Sequence, residues 1–377
     1  MIHMNADSTG NIPLQVDEPR PGTVMCRRQT VFHRPSRLLH AQSCGGQAIL
    51  LAVLLLFAVS CSKSPGIYRK TKPLMDTLVT ITVVAGSDKE ADAAIEKAFS
   101  VIERFGDKID FFKETSELAA INRNAGVNPV KVSPETLGVI ERAIYISGIS
   151  DGAFDPTIGP EIKMWDFYKK IRPSDDAIRH NLSLVNYRNI IVNRDRSTVF
   201  LRKKGMLMDL GGIAKGYAAD LALANLRQSG IGAGIVAAAG DIRAFGLKPD
   251  RTPWNVGIKN PRQKSDVDDL MATARLSNKA VSTSGDYERY FMEDGRRYHH
   301  ILDPKTGYPA GQCRSVTVIS DDGIFADGFT TAVFVLGPEK GMKLVRDSGV
   351  DAVIIDKDGV IHTTPGIKKM VTFEDGH

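Results

Sequence analysis

The spacing of apolar positions changes along the chain, and each change marks an element. Residues 77–84 alternate and are rich in Thr, Val and Ile, which predicts a strand. Residues 89–105 place Ala93, Ala94, Ala98, Val101, Ile102 and Phe105 at helical spacing. A short helix is expected over 117–122, ending near Gly126. Another starts at Ser133-Pro134-Glu135, an N-cap followed by Pro at the first helical position, and runs towards Ser147. Residues 152–160 read as a rigid turn. Strands are predicted over 185–192, 197–201 and 234–239, the last stopped by Gly240-Asp241, with a helix over 214–226 between them. The β pattern continues through 254–258, 272–276, 280–283, 297–302 and 315–319. Helices follow over 324–336, starting near Asp327, and over 340–347, then a hairpin around Lys357-Asp358-Gly359. Strands and helices mix without a regular βαβ repeat, which argues an α+β fold rather than a doubly wound sheet.

The first 61 residues follow a different pattern. Arg27, Arg28, Arg34 and Arg37 form a basic lead, and residues 48–59 are continuously apolar. That run is short for a bilayer span and suits the core of an export signal, with an uncleaved anchor as the alternative. It ends at Ala58-Val59-Ser60-Cys61, which resembles a bacterial lipoprotein signal whose Cys becomes the lipidated first residue. Residues 62–70 then read as a linker, and 71–370 as the folded domain. The expected location is the cell envelope, on the periplasmic side of a membrane, held by lipid.

Composition narrows the function further. A hydrophobic content of 42% supports a sizeable core, and a net charge of +5 is too mild to argue for nucleic acid. Of the four cysteines, only Cys313 would remain as a free thiol after cleavage at Cys61, so no disulfide is expected.

Several segments carry candidate chemistry. In 209–220 (DLGGIAKGYAAD), adjacent glycines precede a helix, so backbone N–H groups and a helix N-terminus can meet an anion. Lys215 can reach that anion, and Asp209 can order a cation or a ring edge. The segment lacks the P-loop and Rossmann spacings. Asp327 and Thr331 lie four apart on one helix face as hard oxygen donors suited to Mg²⁺; alternatively Asp327 caps the helix. His299 and His300 fall on opposite faces of a strand, so either can be a general base or a surface residue. Asp303-Pro304 with Thr306-Gly307 forms a tight turn. Phe154 and Asp155 can grip a planar ring or belong to a plain turn. The hydroxyl-rich loop 282–290 offers an Arg to a phosphate.

The order of these segments is more specific than any one of them. Met75-Asp76-Thr77, Ser116-Glu117-Leu118 with Asn122, and 152–160 (GAFDPTIGP) come first. Then follow 209–217 (DLGGIAKGY), Gly240-Asp241-Ile242, 282–286 (STSGD), 300–307 (HILDPKTG) and 326–332 (ADGFTTA). Together they resemble the ApbE family of FAD:protein FMN transferases, over residues 66–370. The resemblance implies a single catalytic unit of two interlocked subdomains, with mixed and antiparallel sheets and flanking helices. It implies transfer of FMN from FAD to a Thr or Ser hydroxyl of a target flavoprotein of a membrane redox complex, with Mg²⁺ as cofactor and AMP released. By similarity Met75, Phe112, Ala153, Phe154, Asp155, Asp209, Lys215 and Ile301 contact FAD. The Gly212 carbonyl, Asp327 and Thr331 hold the metal, and His300 with Asp303 does the proton chemistry. Many members carry Tyr where this chain has Phe112, which keeps a stacking face without the hydroxyl. FAD hydrolysis to FMN and AMP, and flavin binding without catalysis, are the two alternatives.

Overall fold

The protein is described by a computed structural model over residues 64–262 and 269–374. The apolar run at 48–59 and Cys61 lie outside the described residues.

Strands β1 (Gly66–Leu74) and β2 (Thr77–Ala85) form a hairpin. Met75 and Asp76 at its tip have φ of 53° and 55°, the left-handed backbone of a type I′ turn that normally selects Asn or Gly. Residues 66–70, expected in the linker, therefore belong to a strand; its alternation of half-buried and exposed positions is that of a polar sheet edge. Helix α1 (Asp88–Ile109) is capped by Ser87, and α2 (Glu117–Arg123) by Ser116. After β3 (Val130–Lys131) comes α3 (Pro134–Ile149), which starts at the predicted Ser133-Pro134 signal.

The short α4 (Gly159–Ile162) and α5 (Asp175–Leu182) lead to β4 (Ile190–Asn193) and β5 (Thr198–Leu201). The predicted strand at 185–192 is corrected: Asn186 turns residues 187–189 into a 3-10 segment before β4 starts. Helix α6 (Ala214–Gln228) precedes β6 (Gly234–Ala238), β7 (Asp241–Phe245), β8 (Trp254–Lys259), β9 (Leu270–Leu276) and β10 (Ala280–Gly285). The hairpin of β11 (Tyr290–Glu293) and β12 (Arg296–His299) leads to β13 (Cys313–Ser320), so the predicted strand at 297–302 stops three residues early, in the turn after His299. Helix α7 (Gly323–Asp347) bends at Gly337, whose φ is 78°, just before Pro338. The two helices expected there are its two halves. The chain closes with β14 (Asp351–Asp356), β15 (Ile361–Thr363) and β16 (Val371–Phe373).

An eight-stranded sheet in the order β1-β2-β6-β7-β10-β13-β14-β15 organises the molecule. Every strand pair among the described residues is antiparallel, and an isolated parallel bridge joins Ile158 to Leu207. The period-two rule splits the central strands between two cores. Val236 and Ala238 of β6, and Ala352 and Ile354 of β14, face α1, α3, α6 and α7. Their neighbours Ile235, Ala237, Val353 and Ile355 face a second layer built on β8, β9 and Trp254. A sheet covered on both faces explains why β6 and β7 are buried at every position. A small aromatic cluster of Trp165, Phe291 and Tyr298 supports the β11–β12 hairpin. Cys313 is a buried free thiol.

Candidate active site

The first wall of the site is the turn before α6. Asn122 holds it from a distance: its side chain donates to the Met208 carbonyl at 2.9 Å and accepts the Met208 amide at 2.7 Å. The Asp209 amide then donates to the Pro156 carbonyl at 2.7 Å. Segment 152–160 and segment 209–220 are thus one unit. Gly212 sits at their junction, where a Cβ would lie 3.1 Å from Thr331 Oγ1 and 3.2 Å from the Phe154 ring. The Asp209 carboxylate accepts the Gly211 amide at 2.8 Å, and burial raises its pKa against the opposing charges of Arg289 and Lys215.

The second wall is α7. Its first turn is capped by Asp220 of α6, which accepts the amides of Gly323 and Ile324 at 2.8 and 2.9 Å and pairs with Arg243 at 3.0 Å. Asp327 is therefore not the helix cap that the sequence left open. It lies one turn inside, buried, and accepts the Gly216 amide at 2.9 Å. Thr331 follows on the same face, half-buried. Burial raises the Asp327 pKa, and the neighbouring Asp241 carboxylate adds to the rise.

Lys215 answers both acids. Its ammonium lies 3.0 Å from Asp241. Burial works against its charge, but Asp241 and Asp327 outweigh that and raise its pKa. Asp241 also accepts the Ser282 hydroxyl, and Ser284 donates to Thr330 at 2.8 Å. Two buried carboxylates with one ammonium between them leave an excess of negative charge, and the surrounding donors are carboxyl, hydroxyl and carbonyl oxygens. That set fits a hard divalent cation such as Mg²⁺ rather than a soft one.

The third wall is the turn after β12. His300 donates its backbone amide to the Arg289 carbonyl at 3.1 Å, while its Nδ1 is buried without a partner. Burial, with help from the Arg289 charge, lowers its pKa to about 3, so the ring is neutral at pH 7. His299 points the other way, its Nε2 against the Ala310 carbonyl at 2.8 Å. The two rings do point apart, but not as neighbours on a strand: β12 ends at His299, which is buried, and His300 belongs to the turn. Ile301 is buried; its carbonyl accepts the Ala310 amide at 3.0 Å and its amide donates to His299 Nδ1 at 3.3 Å.

Not every expected residue joins the cluster. The Asp303 side chain accepts the Lys305 amide at 2.8 Å, and its carbonyl accepts those of Thr306 and Gly307. These bonds form the turn and engage one carboxylate oxygen, Oδ1, of Asp303. Asp155 is also occupied: it accepts the Thr157 amide and hydroxyl and the Tyr187 amide. It holds the turn that presents Ala153 and Phe154 rather than offering a free oxygen to a ring. Phe112 is 79% exposed and touches Phe111 edge-on at 5.1 Å. Met75 packs on α1 beside Gly106. Sequence reasoning missed Asp241 and Asp220 as charge partners. Their signal was their position within the glycine-rich segments, but the pairing is tertiary.

The sequence model of the ApbE family matches residues 75–354. The chain belongs to the ApbE family. It is 35% identical over 291 residues to a Klebsiella pneumoniae FAD:protein FMN transferase, covering 76% of this chain and 90% of that protein. It is also 35% identical over 326 residues to the Treponema pallidum protein of the same name, covering 82% and 90%. The fold agrees with the ApbE protein of Thermotoga maritima at a TM-score of 0.74 and 36% identity, covering 81% of this chain and 99% of that one. The flavin transferase ApbE of Vibrio cholerae superposes at 0.73 with 27% identity. ApbE relatives thus match in sequence and in fold across the walls described above.

Proposed function

We propose that the chain transfers the FMN part of FAD to a Thr or Ser hydroxyl of an acceptor flavoprotein, with Mg²⁺ as cofactor. The observation that carries this reading is the convergence of Gly212 and Lys215 from the first wall with Asp327 and Thr331 from the second, facing a neutral His300 on the third. Lys215 and the amides of the glycine-rich turn would hold the pyrophosphate of FAD. Phe154 and Ala153 would bear on the flavin, while Asp155 keeps their turn rigid. Asp327, Thr331 and the Gly212 carbonyl would hold the cation, which supplies charge neutralisation at the phosphoryl oxygens.

His300 presents a neutral ring and accepts the proton of the acceptor hydroxyl. A new O–P bond forms to the FMN phosphorus as the P–O bond to AMP breaks, and AMP departs with the bridging oxygen. Burial is the main cause of the low basicity of His300, and the Arg289 charge adds to it. The chain would act at the periplasmic face of a membrane, anchored through Cys61, on a subunit of a redox complex.

The test is incubation of residues 62–377 with FAD, Mg²⁺ and an acceptor domain. Covalent flavin fluorescence on the acceptor supports transfer. FMN and AMP without labelled acceptor mean hydrolysis, and FAD bound unchanged means a binding protein.

A further inference from the structure

The outer face of the β11–β12 hairpin borders a second concavity that the FAD walls do not use. One part holds about 310 Å³ between Lys259, Arg262, Tyr287, Tyr290 and Arg297. A neighbouring part holds about 210 Å³, shares Arg262 and Arg297, and extends to Arg296, Arg314 and His299. None of the residues assigned above to FAD or to the cation lines either part.

The charge of this cleft is one-sided. Arg262 and Arg297 both pair with the single buried carboxylate of Asp286, at 2.6 and 3.0 Å. Two guanidinium groups on one carboxylate leave a net positive charge. Among the described residues Lys259 has no acidic partner, and its ammonium sits 5.9 Å from the Tyr287 ring. Arg296 likewise has none and lies over Tyr298 at 5.1 Å. Arg297 stacks 4.1 Å from Tyr290, which is 41% exposed. Glu288 is exposed beside Tyr287 but lines neither part.

We propose that this cleft docks an acidic segment of the acceptor protein beside the turn that carries His300. The proposal rests on the transfer function argued above. Arginine forks set on a rigid sheet select carboxylates by paired hydrogen bonds, and the exposed Tyr290 ring supplies flat apolar contact beside them. The continuity is covalent: His299 lines the cleft, and the next residue is the base. The cleft thus adjoins the turn that carries His300.

Lys259→Glu with Arg296→Glu tests this, since among the described residues neither makes an ion pair. The probe is a fluorescein-labelled peptide of alternating Asp and Gly with one central Thr, followed by anisotropy at low salt. Wild-type protein is expected to bind it, and the double variant to bind about tenfold or more weakly. The Asp→Asn peptide should not bind either protein. FAD affinity, read separately by flavin fluorescence, should be equal in both. Unchanged peptide binding in the double variant, or none in the wild type, overturns the proposal. So does a loss of FAD affinity in the variant, which would make the cleft part of the nucleotide site. Unchanged peptide binding with lost binding to phosphatidylglycerol vesicles would assign the charge to a membrane instead. Failure of wild-type protein to bind FAD would sink the transfer reading and leave the peptide result standing.

Discussion

The Gly216 amide donates to Asp327 Oδ2 at 2.9 Å and ties the first turn of α6 to α7 across 111 residues of chain. The contact needs a glycine for a second reason. A Cβ at position 216 would lie 2.1 Å from the Gly323 carbonyl oxygen and 2.7 Å from Asp327 Cβ. The two helices approach closely enough to set the acid against the glycine-rich turn only because that side chain is missing.

Gly216→Ala should therefore separate the helices. Overpacking of this kind costs about 1–3 kcal/mol. A lower Tm together with a raised requirement for Mg²⁺ is expected, read by thermal unfolding and by transfer rates across a Mg²⁺ titration. An unchanged Mg²⁺ dependence would mean that the helix approach does not set the position of Asp327.

Asp327→Ala should abolish Mg²⁺-dependent transfer, a loss of about 10³-fold or more if the cation contributes several kcal/mol. The measurement is single-turnover labelling of the acceptor with saturating FAD. Transfer at the wild-type rate would remove the metal assignment.

His300→Ala should lower transfer by about 10²–10⁴-fold with FAD affinity retained, the range for a positioned general base. FAD affinity falling in parallel with rate would recast His300 as a binding group.

Glu161 gives a prediction for stability against pH. Its carboxyl is fully buried beneath Gly307, with neither oxygen hydrogen-bonded, and burial raises its pKa from 4.5 to about 7. Below pH 4.5 the folded and unfolded chains both keep the proton, and ionisation costs nothing. Between 4.5 and about 7 the unfolded chain releases it first, so stability falls as pH rises; above about 7 the loss is complete. Glu161→Gln cannot titrate. Its Tm should gain on the wild type as pH rises from 4.5 to 7 and hold a constant lead above that. A Tm difference independent of pH would show that the carboxyl finds a partner in solution.

The sequence made some of this arrangement readable and hid the rest for identifiable reasons. Asp327 and Thr331 could be placed on one face because helical spacing is local. Whether Asp327 capped the helix could not be settled, because the group that does so, Asp220, comes from another helix. Strand β1 escaped notice since its side chains alternate between half-buried and exposed at a sheet edge, with no apolar run to mark it. Asp303 looked like chemistry beside His300, and only the hydrogen bonds of the turn reveal that its Oδ1 also holds the Lys305 amide. Segments 152–160 and 209–220 were recognisable singly, whereas the Asp209 to Pro156 bond that joins them is a long-range contact.

The tip of the first hairpin carries one more implication. Met75 and Asp76 both occupy left-handed backbone, which costs non-glycine residues of order 1 kcal/mol or more each. Asn-Gly would relax that turn, so the protein forgoes an easy gain in thermal resistance there. Met75 is tied to its place by packing on α1, whereas Asp76 makes no such contact, so Asp76→Gly is where thermal resistance is left unclaimed. The hairpin tip would then be a place where a single backbone torsion can be relaxed without touching the site.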